Sequence, residues 1–319
     1  MPIFKIHHVT KYEYEHFVKE SSNEIKIYPY ACKEQEVLQH EVSITTSPDV
    51  QVYKDYWGNG SGMFQIVPSH QQIIIESKLT IRTHLPVANP LSNLQSWPQL
   101  AAAKANNMLL IESATPDAID NTVAINLIIE ELQVENKSIA QVCQDCNQYI
   151  FKNFKYTKGI TTVETTVDEI LDNKAGVCQD FAHLMLQILR TLGVPCRYVS
   201  GYICPNKNGM RGEGATHAWV EVFVPEAGWL GIDPTNNVWV TDNHVKLAVG
   251  LHFTDCTPVK GVFKGLTNQK LSVFVAVGYE DGQVFEEVND VNMNFEVTNG
   301  KPVKRQISLI DSSHQQQQQ

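Results

Sequence analysis

Between residues 176 and 233 the apolar residues change from a helical to a strand-like spacing, and this change restricts the fold more than any other feature. The apolar residues of the first part recur at i, i+3, i+4 and i+7, the spacing of one helix face. They are Phe181, Leu184, Met185, Ile188, Leu189 and Leu192. Gly193 and Pro195 follow in the order that is typical of a helix end. The pattern therefore predicts an amphipathic helix whose first turn contains Cys178.

Two strands are predicted after this helix. Residues 216 to 224 alternate strictly between the two faces of an extended chain. The sequence Pro225-Glu226-Ala227-Gly228 is typical of a turn, and Trp229 to Ile232 has the pattern of a second strand. The two segments are therefore expected to form an antiparallel hairpin.

A thiol, an imidazole and a carboxylate lie at the ends of these elements. Cys178 is placed at the start of the helix, where unpaired amide groups and the helix dipole stabilise an anion and so favour a thiolate. His217 lies near the start of the first strand and Asp233 at the end of the second, so both are expected at one end of the hairpin. A thiolate attacks acyl carbon, and a carboxylate can hold the imidazole that transfers the protons. This constellation indicates a cysteine-nucleophile acyl-transfer enzyme, whereas Cys178 taken alone is equally typical of a small buried hydrophobic residue.

The sequence does not determine the register of the hairpin. A symmetric four-residue loop would pair Val220 with Asp233 and would place His217 on the opposite face. The two side chains can share a face only if the loop has an odd length or a strand contains a bulge.

The segments around these residues resemble the core of the transglutaminase-like superfamily. The matching motifs are Gly-Val-Cys-Gln-Asp-Phe from Gly176, Thr-His-Ala-Trp-Val from Thr216 and Ile-Asp-Pro-Thr from Ile232. The resemblance implies a fold related to papain-like cysteine proteases, a triad of Cys178, His217 and Asp233, and an amide or acyl substrate. Members of this superfamily include hydrolases, cross-linking enzymes and non-catalytic relatives, so the resemblance does not imply the direction of the reaction.

Further segments extend this resemblance over nearly the whole chain. Residues 4–12 and 55–59 are similar to the N-terminal β-domain of the bacterial branch, and residues 248–250 and 257–263 are similar to the segment that follows its core. The family pattern Val-Gly-Arg-Asp-Tyr reads Val-Gly-Leu-His-Phe here, from Val249 to Phe253.

The resemblance implies an α+β protein with three parts. Residues 1–90 are expected to form an N-terminal antiparallel β-domain. Residues 91–311 are expected to form the papain/transglutaminase-like core, with a helical lead-in, the nucleophile at a helix N-terminus packed on an antiparallel sheet, and C-terminal strands. Residues 312–319 end in five glutamines and are expected to be a disordered polar tail.

Periodicity predicts the remaining elements. The further strands are predicted at residues 5–17, 63–67, 72–83, 245–251 and 271–279, and the helices at residues 116–132 and 138–154. Three prolines between residues 84 and 98 indicate a linker, and Asp281-Gly282 indicates a turn.

Composition is consistent with an intracellular enzyme. The formal net charge of −10 and the lack of a basic stripe argue against nucleic acid or an anionic membrane as a partner. The N-terminus has no apolar signal region, and no run approaches the ~20 apolar residues of a membrane span. Seven cysteines, an odd number, are most simply reduced thiols in the cytoplasm. No cofactor or metal ion is predicted.

Other candidate sites have simpler explanations. Cys143 and Cys146 have the spacing of zinc ligands or of a redox pair, but they lie in an amphipathic helix without a second matched pair, so helix packing is favoured. Cys196 and Cys204 do not fit a zinc-ribbon spacing. Residues 205–215 contain three glycines and are interpreted as a surface loop, with a mobile lid as the alternative.

The expected reaction proceeds through a thioester. The Cys178 thiolate attacks an amide carbonyl, His217 protonates the leaving amine, and water or a second amine releases the acyl group. The Cys178 backbone N–H is the expected oxyanion donor, and no sequence signal assigns a second one. Hydrolysis of a peptide, isopeptide or other amide bond is favoured over cross-linking because the chain contains no EF-hand-like acidic loop that could hold a regulatory calcium ion.

Two alternatives of other classes stay open. The triad could be a relic in a binding or scaffold protein, or Cys178, His217 and Asp233 could hold zinc. The expected partner is a peptide or protein amide substrate, and the oligomeric state has no signal in the sequence.

Overall fold

The computed structural model describes residues 1–85, 97–204, 210–212, 214–280, 284–298 and 301–310, and only the backbone of the last two ranges is discussed. The helices are α1 (Trp97–Lys104), α2 (Met108–Ser113), α3 (Thr122–Leu132), α4 (Ile139–Asn153), α5 (Val167–Asn173), α6 (Cys178–Thr191) and α7 (Phe253–Cys256). The first strands are β1 (Ile3–Val18), β2 (Ser21–Ile25), β3 (Gln35–Ile44), β4 (Gln51–Lys54), β5 (Gly60–Ile66), β6 (His70–Thr83), β7 (Lys155–Tyr156) and β8 (Ala175–Gly176). The later strands are β9 (Cys196–Ile203), β10 (Ala215–Val224), β11 (Gly228–Asp233), β12 (Val238–Trp239), β13 (His244–Gly250), β14 (Val259–Phe263), β15 (Gln269–Tyr279), β16 (Val284–Thr298) and β17 (Lys301–Ile310).

Helix α6 is the predicted helix that begins at the cysteine. It ends where predicted, because Gly193 follows it with a φ of 75°, a conformation that glycine adopts readily. Its apolar stripe is buried in the largest hydrophobic cluster, which contains residues from α3, α4, α5, β9 and β10. Polar residues of α6 are buried as well: Arg190 is 1% exposed, and its guanidinium donates to the carbonyl oxygens of Cys196 and Leu251. The helix is therefore enclosed rather than amphipathic with one exposed face.

Beside α6 lies an antiparallel sheet of five strands in the order β12-β11-β10-β9-β13. Val220 pairs with Ile232, and Val224 pairs with Gly228, so the loop between β10 and β11 has three residues. The left-handed backbone of Glu226, with a φ of 66°, and of Gly228, with a φ of 81°, allows this short connection. The odd loop length settles the register that the sequence left open, and it places His217 and Asp233 on the same face of the sheet.

The N-terminal strands form two further antiparallel sheets together with the C-terminal strands. The six-stranded sheet has the order β17-β16-β15-β1-β6-β3, and the four-stranded sheet has the order β14-β2-β5-β4. The predicted division of the chain counted the C-terminal strands with the core, whereas their pairing places them with the N-terminal strands. The division into residues 1–90 and 91–311 stays a prediction, but neither sheet is built from residues 1–90 alone.

The other predicted elements are mostly confirmed. The predicted strands correspond to β1, β5, β6, β13 and β15, and the predicted helices correspond to α3 and α4. The start of α3 was predicted too early, because the side chain of Asn121 accepts a hydrogen bond from the Ala124 N–H and caps the helix there. Helices α1, α2, α5 and α7 have eight residues or fewer and were not predicted. The predicted turn at residues 281–282, the tail at residues 312–319 and most of the linker lie outside the described residues.

None of the helices in the described part of the chain is both long and apolar enough to cross a membrane.

A buried histidine connects the N-terminal sheet to the core. The Tyr202 hydroxyl of β9 lies 2.8 Å from His8 Nδ1, and the Thr10 hydroxyl lies 3.3 Å from His8 Nε2. Both ring nitrogens are therefore engaged in a site that is 3% exposed. Burial, with a smaller effect of the charge of His7, lowers the pKa of His8 from 6.5 to about 4.

This pKa predicts a loss of stability in acid. Because the folded-state pKa of His8 lies below its unfolded value, the contribution to stability is complete above the unfolded pKa and is lost as the pH falls toward 4. From about pH 7 to about pH 4.5, the free energy of unfolding should therefore fall by ~2 kcal/mol more in the wild type than in His8→Gln. Urea unfolding at both pH values measures the difference, and the exposed His16→Gln should behave like the wild type. An equal fall in the wild type and His8→Gln would contradict the prediction.

Candidate active site

Cys178 is the first residue of α6 and is held there by a local network around Asp180. The Asp180 Oδ2 atom accepts hydrogen bonds of 2.7 Å from the Val177 N–H and from the Thr161 hydroxyl. Residue 176 has to be glycine, because a Cβ there would lie only 2.6 Å from Asp180 Oδ2. Asp180 therefore has a structural role, because it fixes the turn that leads into α6. Cys178 itself is partly exposed, at the start of an otherwise enclosed helix.

His217 and Asp233 meet on the face of the five-stranded sheet. The Nε2 atom of His217 donates to Asp233 Oδ2 over 2.8 Å, and both side chains are fully buried. The ring of Trp219, two residues further along β10, stacks on the His217 ring with 6.2 Å between the centroids. The imidazole is therefore fixed by the carboxylate on one edge and by an aromatic ring on one face.

Asp233 has three further hydrogen-bond partners. Its Oδ1 atom accepts from the Thr235 N–H over 2.9 Å, and its Oδ2 atom accepts from the Asn236 side chain over 2.7 Å. The Nε2 atom of His244, at the start of β13, lies 3.3 Å from the same oxygen. His244 and Asn236 were not predicted as site residues. Asn236 follows the Ile-Asp-Pro-Thr motif directly, whereas no local sequence signal connects His244 to Asp233.

The charges of this site favour a protonated His217. Burial by itself would lower its pKa, but the negative charge and hydrogen bond of Asp233, together with an interaction with Cys178, raise the pKa of His217 to about 10. Burial would raise the pKa of Asp233, but the charge and hydrogen bond of His217, with a smaller effect of His244, hold it well below its usual range. Imidazolium and carboxylate are therefore the stable forms at neutral pH.

The second nitrogen of His217 is available for chemistry. Nδ1 is buried and makes no hydrogen bond of regular geometry with any described residue. Nε2 is engaged by Asp233, and Cys178 lies close enough to the ring to raise its pKa. The structure thus brings the three residues predicted from the sequence together as a connected set, with His217 between the thiol and the carboxylate.

Three ligand-type side chains also converge on this point. One ligand atom from each of His217, Asp233 and His244 lies within 4.8 Å of the others. The Thr241 N–H donates to His244 Nδ1 over 3.3 Å, so the His244 ring carries its proton on Nε2, toward Asp233. A metal ion held by this set would have to displace the Nε2 protons of both rings. Hydrogen bonds from the two rings to the Asp233 carboxylate explain the cluster more simply.

The other candidates from the sequence lie elsewhere. Cys143 and Cys146 are fully buried in α4, which confirms the prediction of helix packing. The segment interpreted as a loop or lid is described only in part, at residues 210–212 and 214–215. Within it, Gly212 has a φ of 76° and lies against the His217 ring.

Comparison with protein families matches two parts of this chain. Residues 129–234 match the transglutaminase-like superfamily, and residues 4–82 match the bacterial transglutaminase-like N-terminal region. Cys178, His217 and Asp233 all lie within the first match.

Individual proteins are also similar to this chain, in sequence or in fold. An uncharacterized protein of Mycobacterium bovis is 30% identical over 285 residues, which covers 85% of this chain and 90% of the relative. A protein-glutamine gamma-glutamyltransferase of Pseudomonas aeruginosa is 30% identical over 183 residues, which covers 51% of this chain but only 26% of that protein. The crystal structure of a candidate cysteine protease from Cytophaga hutchinsonii superposes with a TM-score of 0.68 at 17% identity, covering 97% of this chain and 98% of that one. This superposition shows a shared fold over nearly the full length.

Proposed function

Because this chain belongs to the transglutaminase-like superfamily, we propose that it is a cysteine-dependent acyl-transfer enzyme that hydrolyses peptide, isopeptide or related amide bonds. The observation that carries the proposal is the position of Cys178 beside the buried His217–Asp233 pair. A structural cysteine would not require a buried ion pair at its side, since burying two charged groups is costly.

The reaction begins with a thiolate paired to an imidazolium. The pKa of about 10 keeps the proton on His217 at neutral pH, and a helix N-terminus stabilises the negative charge on Cys178. The thiolate attacks the amide carbonyl carbon, and the Cys178 backbone N–H donates to the oxygen as it becomes negative. His217 gives its proton to the amine as the C–N bond breaks, leaving the acyl group as a thioester on Cys178.

Release of the acyl group reverses these roles. The neutral His217 ring accepts a proton from a water molecule, the oxygen attacks the thioester carbon, and the carboxylic acid leaves as the thiolate re-forms. Asp233 keeps its charge throughout and stabilises the imidazolium at each return. Water is proposed as the acceptor because it needs no binding site of its own. The thiol chemistry requires a reduced cysteine, and no described cysteine is in a disulfide, so we propose a cytoplasmic setting.

An amine acceptor is the second candidate, and the similarity to the Pseudomonas aeruginosa protein-glutamine gamma-glutamyltransferase favours it. If an amine enters in place of water, the same thioester gives a new amide instead of an acid. The site residues and their roles are otherwise identical, so the two reactions differ only in their products.

One assay separates these reactions. The protein is incubated with libraries of peptide amides, glutamine-containing peptides and isopeptides, with and without a primary amine, and the products are identified by mass. Free acid in both samples supports hydrolysis, and amine adducts support transfer. Product formation that is identical with Cys178→Ala, or no turnover of any substrate, would contradict the proposed function and favour a scaffold with a relic triad.

A further inference from the structure

We propose that Tyr156 is a catalytic residue of this site: its phenol O–H donates the second hydrogen bond to the oxyanion that forms when Cys178 attacks. This inference rests on the proposed function and deepens it. It is carried by three observations on Tyr156: its backbone pairs with the segment that precedes Cys178, its ring packs on α6, and its hydroxyl lies beside Gly212, which also borders Nδ1 of His217.

The backbone of Tyr156 is fixed to the segment that leads into the nucleophile. Strand β7 pairs in parallel with β8, and Tyr156 lies opposite Gly176, two residues before Cys178. The Thr157 N–H donates to the Gly176 carbonyl over 2.9 Å, which continues this pairing. This pairing therefore holds the backbone of Tyr156 next to the segment that leads into Cys178.

The ring of Tyr156 is fixed by α6. It packs edge to face on Phe181, with 6.3 Å between the ring centroids. Phe181 is fully buried and lies in the first turn of α6, one turn along from Cys178. The aromatic contact thus holds the ring against the first turn of α6, the turn that contains the backbone N–H of Cys178.

The hydroxyl end of Tyr156 and the reactive edge of His217 border one small space. A Cβ on Gly212 would occupy this space, 3.4 Å from His217 Nδ1 and 3.7 Å from the Tyr156 hydroxyl oxygen. Residue 212 is a glycine with a φ of 76°, so it places no side chain of its own in this space. Because Asp233 occupies Nε2, Nδ1 is the nitrogen that can serve the thiol, and an acyl group under attack would lie between the thiol, the imidazole and the phenol.

The chemistry needs no net transfer of the phenol proton. As the Sγ–C bond forms, the electron pair of the carbonyl π bond moves to oxygen, and this oxygen accepts hydrogen bonds from the Cys178 N–H and the Tyr156 O–H. When the carbonyl re-forms, the C–N bond breaks and the amine takes its proton from His217. Tyr156 stays neutral in both steps.

A second tyrosine close to Cys178 provides a matched control. Tyr198 of β9 is 2% exposed, and burial, with smaller effects of Cys178, Cys256 and Asp180, raises its pKa. Its ring packs on the rings of His183 and Phe253, so it faces the α7 side of α6. Tyr198→Phe removes a hydroxyl near the thiol without removing one beside Nδ1 of His217.

The test compares two reagents on the full-length protein. Acetylation of Cys178 by p-nitrophenyl acetate passes through a tetrahedral oxyanion, whereas alkylation by iodoacetamide displaces iodide and forms none. Tyr156→Phe keeps the ring that packs on Phe181, and it should slow acetylation by about 10²-fold, the usual effect of one oxyanion donor, while the alkylation rate stays at the wild-type value. Tyr198→Phe should change neither rate. Melting temperatures of the three proteins establish that they are folded.

The possible results separate the two claims. Acetylation of Tyr156→Phe at the wild-type rate would overturn the assignment, and so would an equal slowing of acetylation and alkylation, which would show an effect on the thiolate instead. If only Tyr198→Phe is acetylated slowly, the second oxyanion donor is Tyr198, and the assignment to Tyr156 is overturned. If wild-type Cys178 is alkylated but never acetylated, the proposed function itself fails, and the assignment of Tyr156 fails with it.

Discussion

Replacement of Cys178 by alanine should abolish turnover of every amide substrate of this protein while leaving it folded. The thiolate supplies the bond to the acyl carbon, and no other described side chain in the site can replace it. Alanine is well tolerated in the first turn of a helix, and the cap of α6 uses Asp180 rather than the thiol. The measurement is kcat on the substrate found by the library assay, with the melting temperature recorded for the same sample. Residual activity should lie at the detection limit.

Cys32→Ala is the matched control for this variant. Cys32 and Cys178 are the two cysteines that are partly exposed, whereas the other five are buried. The Cys32 variant should keep wild-type kcat. Wild-type turnover by Cys178→Ala would show that the assignment of the nucleophile is wrong.

Changing Asp233 to asparagine should lower kcat by about 10²–10⁴-fold, which is less than the effect of Cys178→Ala. Asparagine keeps the size of the side chain but removes the charge that stabilises the His217 imidazolium. The KM should change little, because Asp233 is fully buried behind the imidazole and does not contact the substrate. Steady-state kinetics on both proteins measure the two constants. Asp242→Asn is the control and should keep the wild-type kcat, because Asp242 is a partly buried carboxylate that is not hydrogen-bonded to His217.

The same variant should change the response of stability to alkaline pH. The pKa of His217 is raised from 6.5 to about 10, so its pairing with Asp233 contributes fully below pH 6.5 and is lost as the pH rises toward 10. The wild type should therefore lose stability in this range, and Asp233→Asn should lose much less. Near-normal kcat combined with a large loss of stability would instead make Asp233 a structural residue of the turn before Pro234.

The sequence was sufficient for the parts of this site that depend on local pattern. The helix that begins at Cys178 and the two strands that carry His217 and Asp233 follow from apolar spacing and from turn residues within each segment. The register between the strands did not follow, because it depends on the length of the loop and on two left-handed residues, Glu226 in the loop and Gly228 at the start of β11, which the pattern does not fix.

Contacts between distant segments could not be predicted from local pattern. His244 reaches Asp233 across the sheet, and Tyr156 approaches His217 through a two-residue strand that is too short to leave a periodicity. The same limit applies to the sheets, since the alternation in β15 predicts a strand but not its partner, β1. Only the tertiary fold brings such segments together. The side chains of these segments can therefore be recognised as parts of the site only after the fold is known.

The most direct test of the proposed chemistry is to detect the acyl group on the protein. The full chain is mixed with an amide substrate or an activated ester, quenched in acid and digested, and the peptides are weighed. The account predicts the mass of one acyl group on the peptide that contains Cys178, removed by neutral hydroxylamine as expected for a thioester, and its absence from Cys178→Ala. No acyl group on Cys178 during measurable turnover, or an acyl group on another residue that persists in Cys178→Ala, would contradict it.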